Sequence, residues 1–215
     1  MRRLMFALAA LMLAAAAWAQ TEAVVQRVAG RVEVMQPGGA WAAAAPGMRL
    51  ALGATVSTGF DSEATLALGA SVLQVKPLTR MRIDQLAQQG GTVSTELYLR
   101  VGRVRAEVKG AEGLRQDFKV RSPISTAAVR GTAFGYDGVN AEVDDGVVTL
   151  INQFNQGTSL GPGEQGSSTG DDPPVGGEDK KEQDSTTQPS TGGGGTGGDA
   201  PPPAKTGSIR INWNY

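Results

Sequence analysis

The chain has 215 residues, with 30 Gly, 11 Pro, a formal net charge of −1, and neither Cys nor His. Glycine at roughly twice its average share marks a chain rich in turns or linkers. The missing residue types exclude Ser-His-Asp and Cys-His nucleophile pairs, disulfides, thiolate or imidazole zinc sites and an imidazole pH switch, which leaves carboxylate, Lys or hydroxyl chemistry, or no catalysis.

Arg2 and Arg3 precede a mostly apolar run from Leu4 to Ala19 that closes with Ala17-Trp18-Ala19. This is the pattern of a secretory signal peptide with a small-x-small cleavage site, over residues 1–19. The run is Ala-rich and shorter than the roughly 20 residues that cross a hydrocarbon core. The expectation is therefore an exported protein, periplasmic or at the cell surface, with no integral membrane segment after cleavage. Export without Cys also means that core packing and hydrogen bonds must hold the domain unaided.

Residues 20–165 read as one β domain. Apolar positions alternate at Val28, Val32 and Val34, at Leu66 and Leu68, at Val72, Leu73 and Val75, at Met81 and Ile83, at Leu97, Leu99 and Val101, at Phe118 and Val120, and from Val143 to Leu150. Period two with β-branched residues, broken by glycine, means short strands. One form recurs, a strand meeting a glycine with another strand following: Val28-Ala29-Gly30-Arg31-Val32, Val101-Gly102-Arg103-Val104 and Asp144-Asp145-Gly146-Val147. Glycine at these points supplies a positive φ or a bend. Ile124 to Val129, between Pro123 and Gly131, reads as a short helical turn or coil at most. Such strands suit a barrel-like closure or a stacked, solenoid-like arrangement. The glycine spacings are uneven, so the expected fold is all-β, an irregular solenoid-like or twin-sheet roll with Gly corners.

Within that domain, residues 76–130 carry 11 basic and 5 acidic side chains, while 131–160 carry only Asp137, Glu142, Asp144 and Asp145. The basic stretch has two readings: a patch that attracts nucleic acid, anionic lipid or acidic glycan, and the solvent face of alternating strands. The secretory signal argues against nucleic acid. The four acids could suggest paired-carboxylate catalysis or a calcium loop. They lack the Asp-x-Asp-x-Asp-Gly spacing, and Asp-Asp-Gly is ordinary turn chemistry. No catalytic, cofactor or metal-binding residues are assigned, and the reading is non-enzymatic.

From Gly161 to Ser208 the chain holds 13 Gly and 7 Pro in 48 residues, and 8 acids against 3 Lys. So little apolar surface cannot offset ordering entropy, so residues 166–207 are expected to be a disordered acidic linker. Residues 208–215 then alternate again, placing Ile209, Ile211, Trp213 and Tyr215 on one face as a C-terminal β-strand. That strand could add to an exposed edge of its own domain, add to a partner's edge, or serve as an outer-membrane assembly or export tag.

The segment Phe118 to Phe134, containing Ser122-Pro123 and Val129-Arg130-Gly131-Thr132-Ala133-Phe134, closely resembles the signature of the FecR-like periplasmic domain. Other blocks follow in the order of that family: Gly47 to Gly59, Ser71 to Ile83 with Pro77 and Thr79, Leu99 to Val108, Val143 to Leu150, and Leu160 to Glu164. Ala54 departs from the pattern, which usually has an acidic residue there. The resemblance covers about residues 24–165. It implies a β-rich, solenoid-like fold and a non-enzymatic role in the cell envelope.

Family regulators join this domain to an anti-sigma segment and a membrane helix. This chain is expected to be a stand-alone exported member, so iron signalling and sigma-factor control are not carried over. The expected function is an interaction or sensing module that binds an envelope protein or glycan. The alternative is a structural, self-associating scaffold component that pairs through strand edges or the final strand. The signature residues Ser122, Pro123, Val129, Arg130, Gly131, Thr132 and Phe134 are read as structural: Gly131 allows a tight corner, the Thr132 hydroxyl returns a hydrogen bond to the backbone, and Arg130 clamps carbonyls or a carboxylate such as Asp144 or Asp145. The competing reading is an anion or partner contact at the same corner.

Overall fold

Runs that alternate apolar and polar residues bury one face only, and two sheets of such strands can shield each other's inner faces. The computed structural model describes residues 23–110 and 113–177. The signal segment 1–19, the linker from residue 178 on and the strand 208–215 lie outside the described residues.

One sheet contains eight strands: β1 (Ala23–Ala29), β4 (Arg49–Leu50), β6 (Glu63–Leu68), β7 (Ser71–Val75), β10 (Val104–Glu107), β13 (Ala133–Tyr136), β14 (Asn140–Asp145) and β17 (Gln165–Ser167). The other contains nine: β2 (Val32–Met35), β3 (Trp41–Ala43), β5 (Thr55–Thr58), β8 (Arg80–Gln89), β9 (Thr92–Val101), β11 (Arg115–Arg121), β12 (Ser125–Val129), β15 (Val148–Asn152) and β16 (Gly157–Leu160). The first sheet runs β17-β14-β13-β10-β7-β6-β1-β4 and the second β16-β15-β12-β11-β9-β8-β5-β2-β3. Both sheets are open, and the fold is the all-β twin-sheet roll expected from the sequence. Neighbours are antiparallel except β9 and β11, between which β10 takes the chain into the other sheet and back. Leu66, Leu73 and Phe134 of the first sheet and Ile83, Leu97, Phe118 and Leu150 of the second are all at most 1% exposed, within one shared core.

The recurrent glycine form marks crossings between the sheets. Gly30 (φ 71°), Gly102 (φ 96°) and Gly146 (φ 82°) join β1 to β2, β9 to β10 and β14 to β15. Each lies against the hydroxyl residue of an adjacent crossing: Ser62, Thr79 and Thr132 respectively. At the first two the hydroxyl accepts the amide after the glycine, Arg31 N to Ser62 Oγ at 2.8 Å and Arg103 N to Thr79 Oγ1 at 2.9 Å. The hydroxyl thus satisfies an amide that the bend removes from its ladder.

Two segments differ from the sequence reading. Residues 125–129 form strand β12, not a helical turn or coil. It pairs with β11 on one side and β15 on the other and buries Ser125, Ala127 and Val129. Partners on both edges, supplied by distant segments, override the local preference of small residues. The fold also continues past residue 165, the expected end of the β domain. Ser167 bridges to Val175, the Ser168 amide donates to Val139 O at 2.9 Å, and Asn152 Nδ2 donates to Asp172 O at 3.0 Å. These polar residues are ordered by backbone pairing, which composition alone does not reveal.

Candidate functional site

The signature residues occupy a hairpin, a crossing and the strand after it. Ser122 sits at the β11–β12 turn, where its Oγ accepts from Ser125 N at 3.0 Å and donates to Gly138 O at 2.7 Å. Pro123 is exposed beside it. Across the roll, Tyr136 reaches the same cluster: its hydroxyl is 2.7 Å from Ser125 Oγ and donates to Ser122 Oγ at 3.2 Å. Burial pushes the Tyr136 phenol up, against the lowering effect of the two serine hydrogen bonds. Tyr136 and Ser125 are members of this cluster that sequence reasoning missed; Tyr136 stands two residues beyond Phe134, on the same inward face of β13.

The neighbouring β13–β14 turn is held by Asp137. Its Oδ1 accepts from Val139 N at 3.0 Å and Asn140 N at 2.7 Å, and Arg103 Nη2 lies 3.5 Å from Oδ2. Burial opposes ionisation here, but the hydrogen bonds from Asn140 and Val139, aided by Arg103, hold the carboxyl below the ordinary Asp value. A depressed folded value means the contribution is complete above the unfolded titration near 4 and is lost as pH falls through the lower folded value. Asp137→Ala is expected to lower stability by about 1 kcal/mol at pH 7 and by less at pH 3. Urea unfolding at the two pH values checks this; an equal loss at both would contradict it.

The Arg130-Gly131-Thr132 crossing departs from its expected hydrogen bonding. Gly131 has φ 64°, and a Cβ there would meet nothing within 4 Å. Thr132 is 3% exposed, yet its Oγ1 has no hydrogen-bond partner among the described residues, unlike Ser62 and Thr79 at the other crossings. Arg130 is exposed and makes no clamp on Asp144, whose carboxylate instead pairs with Arg105. Arg130 instead lines a shallow groove on the outer face of the nine-stranded sheet with Arg115, Lys119, Val147 and Ile151.

That same outer face carries a more developed arrangement toward its β3 end. Strand register lines up Trp41, Met35, Thr55, Arg82, Tyr98, Arg121, Thr126 and Ile151 in a single transverse row. The row crosses eight strands, which at about 4.8 Å per spacing makes it roughly 34 Å long. Their chain neighbours Val34, Val56, Met81, Leu97, Val120, Ala127 and Leu150 point into the core. Arg80 lies over the Trp41 ring at 5.4 Å and Arg82 over the Tyr98 ring at 5.5 Å. A groove between them is lined by Met35, Trp41, Arg80, Arg82, Tyr98 and Arg100.

Two carboxylates orient the guanidinium groups of the row. Arg82 is bound by Asp84, and Arg121 by Glu96 at 2.8 Å, and these hydrogen bonds raise both arginines above their ordinary value. Flat rings with stacked and carboxylate-braced guanidinium groups form a surface in which little side-chain freedom remains to be lost on binding. Trp, Tyr, Met and Arg are the residue types enriched at the centres of protein interfaces, and Lys is absent from this groove. The sequence contains every one of these residues at outward positions; their common row depends on register between distant strands.

Among the described residues, no group of three or more acids is placed to hold a metal ion. No described helix is long and apolar enough to cross a membrane. The candidate docking strand with Ile209, Ile211, Trp213 and Tyr215 lies outside the described residues. Compared with known proteins, residues 54–152 match the family described as FecR protein. Two crystal structures of a candidate anti-sigma factor from Parabacteroides distasonis are similar, each at 19% identity and a TM-score of 0.45, over 57% of this chain and 58% of that one. The chain thus spans little more than half the length of that protein. No curated protein matches the sequence significantly.

Proposed function

We propose that this chain, whose residues 54–152 match the FecR protein family, is an exported, non-enzymatic interaction module of the cell envelope that binds a protein partner through the outer face of its nine-stranded sheet. The observation that carries this reading is the row containing Trp41, Met35, Arg82 and Tyr98, with Arg80 and Arg100 beside it. Aromatic and arginine side chains held rigid on a flat, solvent-facing sheet supply contact area at low entropic cost. The signal-peptide pattern at residues 1–19 supports export, and the absence of Cys and His from the sequence supports binding over catalysis.

A photo-crosslinking residue placed at Tyr98 is expected to capture a discrete protein adduct in intact cells. The same residue at Gln74, on the outer face of the other sheet, should not. Trp41→Ala combined with Arg82→Ala should reduce the adduct about tenfold, in line with loss of two interface anchors. Identical adducts from both faces would contradict the assignment of the face, and adducts to glycan alone would replace the protein partner with a carbohydrate one.

A further inference from the structure

One rim of the roll exposes side chains that neither the core nor the outer sheet face explains. There the chain crosses between sheets at Gly30-Arg31, at residues 59–62, at residues 76–79 and at Gly102. The crossings are stitched together by Gly59 N to Arg31 O at 2.9 Å, Leu78 N to Gly59 O at 3.1 Å and Lys76 N to Arg103 O at 3.0 Å. On or beside successive crossings of this rim stand Phe60, 76% exposed, Leu78, 56% exposed, and Val101, the last residue of β9, 57% exposed. Leu78 has φ 55° and Asp61, next to Phe60, has φ 48°. The left-handed region suits Gly or Asn and is an outlier for a bulky side chain. At Leu78 the fold therefore holds a mostly exposed apolar side chain on a backbone that disfavours it.

The surroundings are cationic. Arg31, Lys76, Arg80, Arg100 and Arg103 lie on or next to these crossings, against Asp61 and Glu63, the latter paired with Lys76 at 3.1 Å. Arg31 and Arg103 pair with Glu33 and Asp137, but their side chains remain 79% and 66% exposed. Exposed pairs of this kind hold their partners weakly, so both guanidinium groups are available to other anions. Further along the same rim the charge reverses at Asp171 and Asp172, whose segment bonds to Asn152 and Gln153 at the β15–β16 turn. Phe154, 60% exposed, lies on that turn, so positive charge rather than apolar exposure sets the first half of the rim apart.

We propose that this rim docks on an anionic lipid bilayer, with Phe60, Leu78 and Val101 entering the interfacial region and the flanking arginines meeting headgroup phosphates. The shape favours a bilayer over a folded partner. Three apolar side chains, two on separate turns and one at the end of β9, need a matching concavity to bind a protein, whereas a fluid acyl boundary accepts them without one. The charge favours an anionic surface, which attracts clustered Lys and Arg within a Debye length.

The test uses the chain beginning at Gln20, which retains every described strand and lacks the apolar segment at residues 1–19. It is mixed with vesicles of phosphatidylcholine alone and of phosphatidylcholine with phosphatidylglycerol, and partition is read by co-sedimentation. Binding to the anionic vesicles alone, weakened by salt, is expected. Phe60→Ser, Leu78→Ser and Val101→Ser together should lower the partition coefficient about tenfold or more. Leu78→Gly provides a control for folding: it relieves the left-handed backbone, so thermal stability should hold or rise while partition falls about threefold. The proposal is overturned if the triple variant binds as well as the parent, or if neither vesicle is bound. It is equally overturned if deleting residues 208–215 abolishes binding while the rim variants retain it, or if the rim substitutions only dissociate a dimer.

Discussion

Gly102→Ala is expected to abolish folding or to lower stability by about 3 kcal/mol or more, through left-handed strain added to overpacking. A Cβ at this position would lie 2.4 Å from Thr79 Cα and 2.7 Å from Thr79 Cβ, with the backbone at φ 96°. The obstacle is backbone, so no rotamer change relieves it. Moving Thr79 would also break the bonds that its Oγ1 makes with Arg103 N and Arg103 O, at 2.9 and 3.0 Å. Gly131→Ala is the informative comparison. Gly131 belongs to the signature, yet a Cβ there meets open space, so only the φ of 64° penalises the change, by about 1 kcal/mol. Chemical denaturation of both variants checks the ranking, and a Gly102→Ala protein that melts within about 2 °C of the parent would disprove it.

Phe134→Ala is expected to cost about 3–5 kcal/mol, the range for emptying a fully buried aromatic site. Phe134 is fully buried on β13, and its ring meets Phe118 of β11 edge to face, with centroids 6.3 Å apart and planes at 80°. The two rings join strands of opposite sheets, so removing either opens the same region of core. Phe118→Ala should therefore be nearly as damaging, and the double variant should lose less than the sum of the two, by about 1 kcal/mol of pair energy. Strict additivity in thermal or urea unfolding would show that the rings act independently. The signature aromatic is thus a packing residue, and its value lies in linking the sheets.

Much of the fold was readable because strand formation here follows a local rule. Period-two runs such as Leu97-Leu99 and Val148-Leu150 announce which side chains turn inward, and glycine between two such runs announces a bend. Gly30, Gly102 and Gly146 share that pattern, and all three are sheet-to-sheet crossings. Where local preference was weak, the reading failed. Ser125-Thr126-Ala127-Ala128-Val129 has little strand propensity of its own and becomes β12 because β11 and β15 supply hydrogen bonds on both sides. The sequence leaves carbonyls, Asp144 and Asp145 all open as partners for Arg130, and pairing of β10 with β13 and of β13 with β14 gives Asp144 to Arg105.

The sequence by itself determined the strand-rich composition, the inward and outward alternation of each strand, the positions of the bends and the exclusion of His- and Cys-based chemistry. Each is a property of a residue or of its immediate neighbours. Tertiary structure alone decided which strands pair, in what register and in which sheet. From that follow the Ser122–Ser125–Tyr136 cluster, the transverse row with Trp41, Arg82 and Tyr98, and the exposed line of Phe60, Leu78 and Val101. The physical reason is that register is fixed by the summed burial of all inward faces at once, so residues far apart in the chain become neighbours without any local signal.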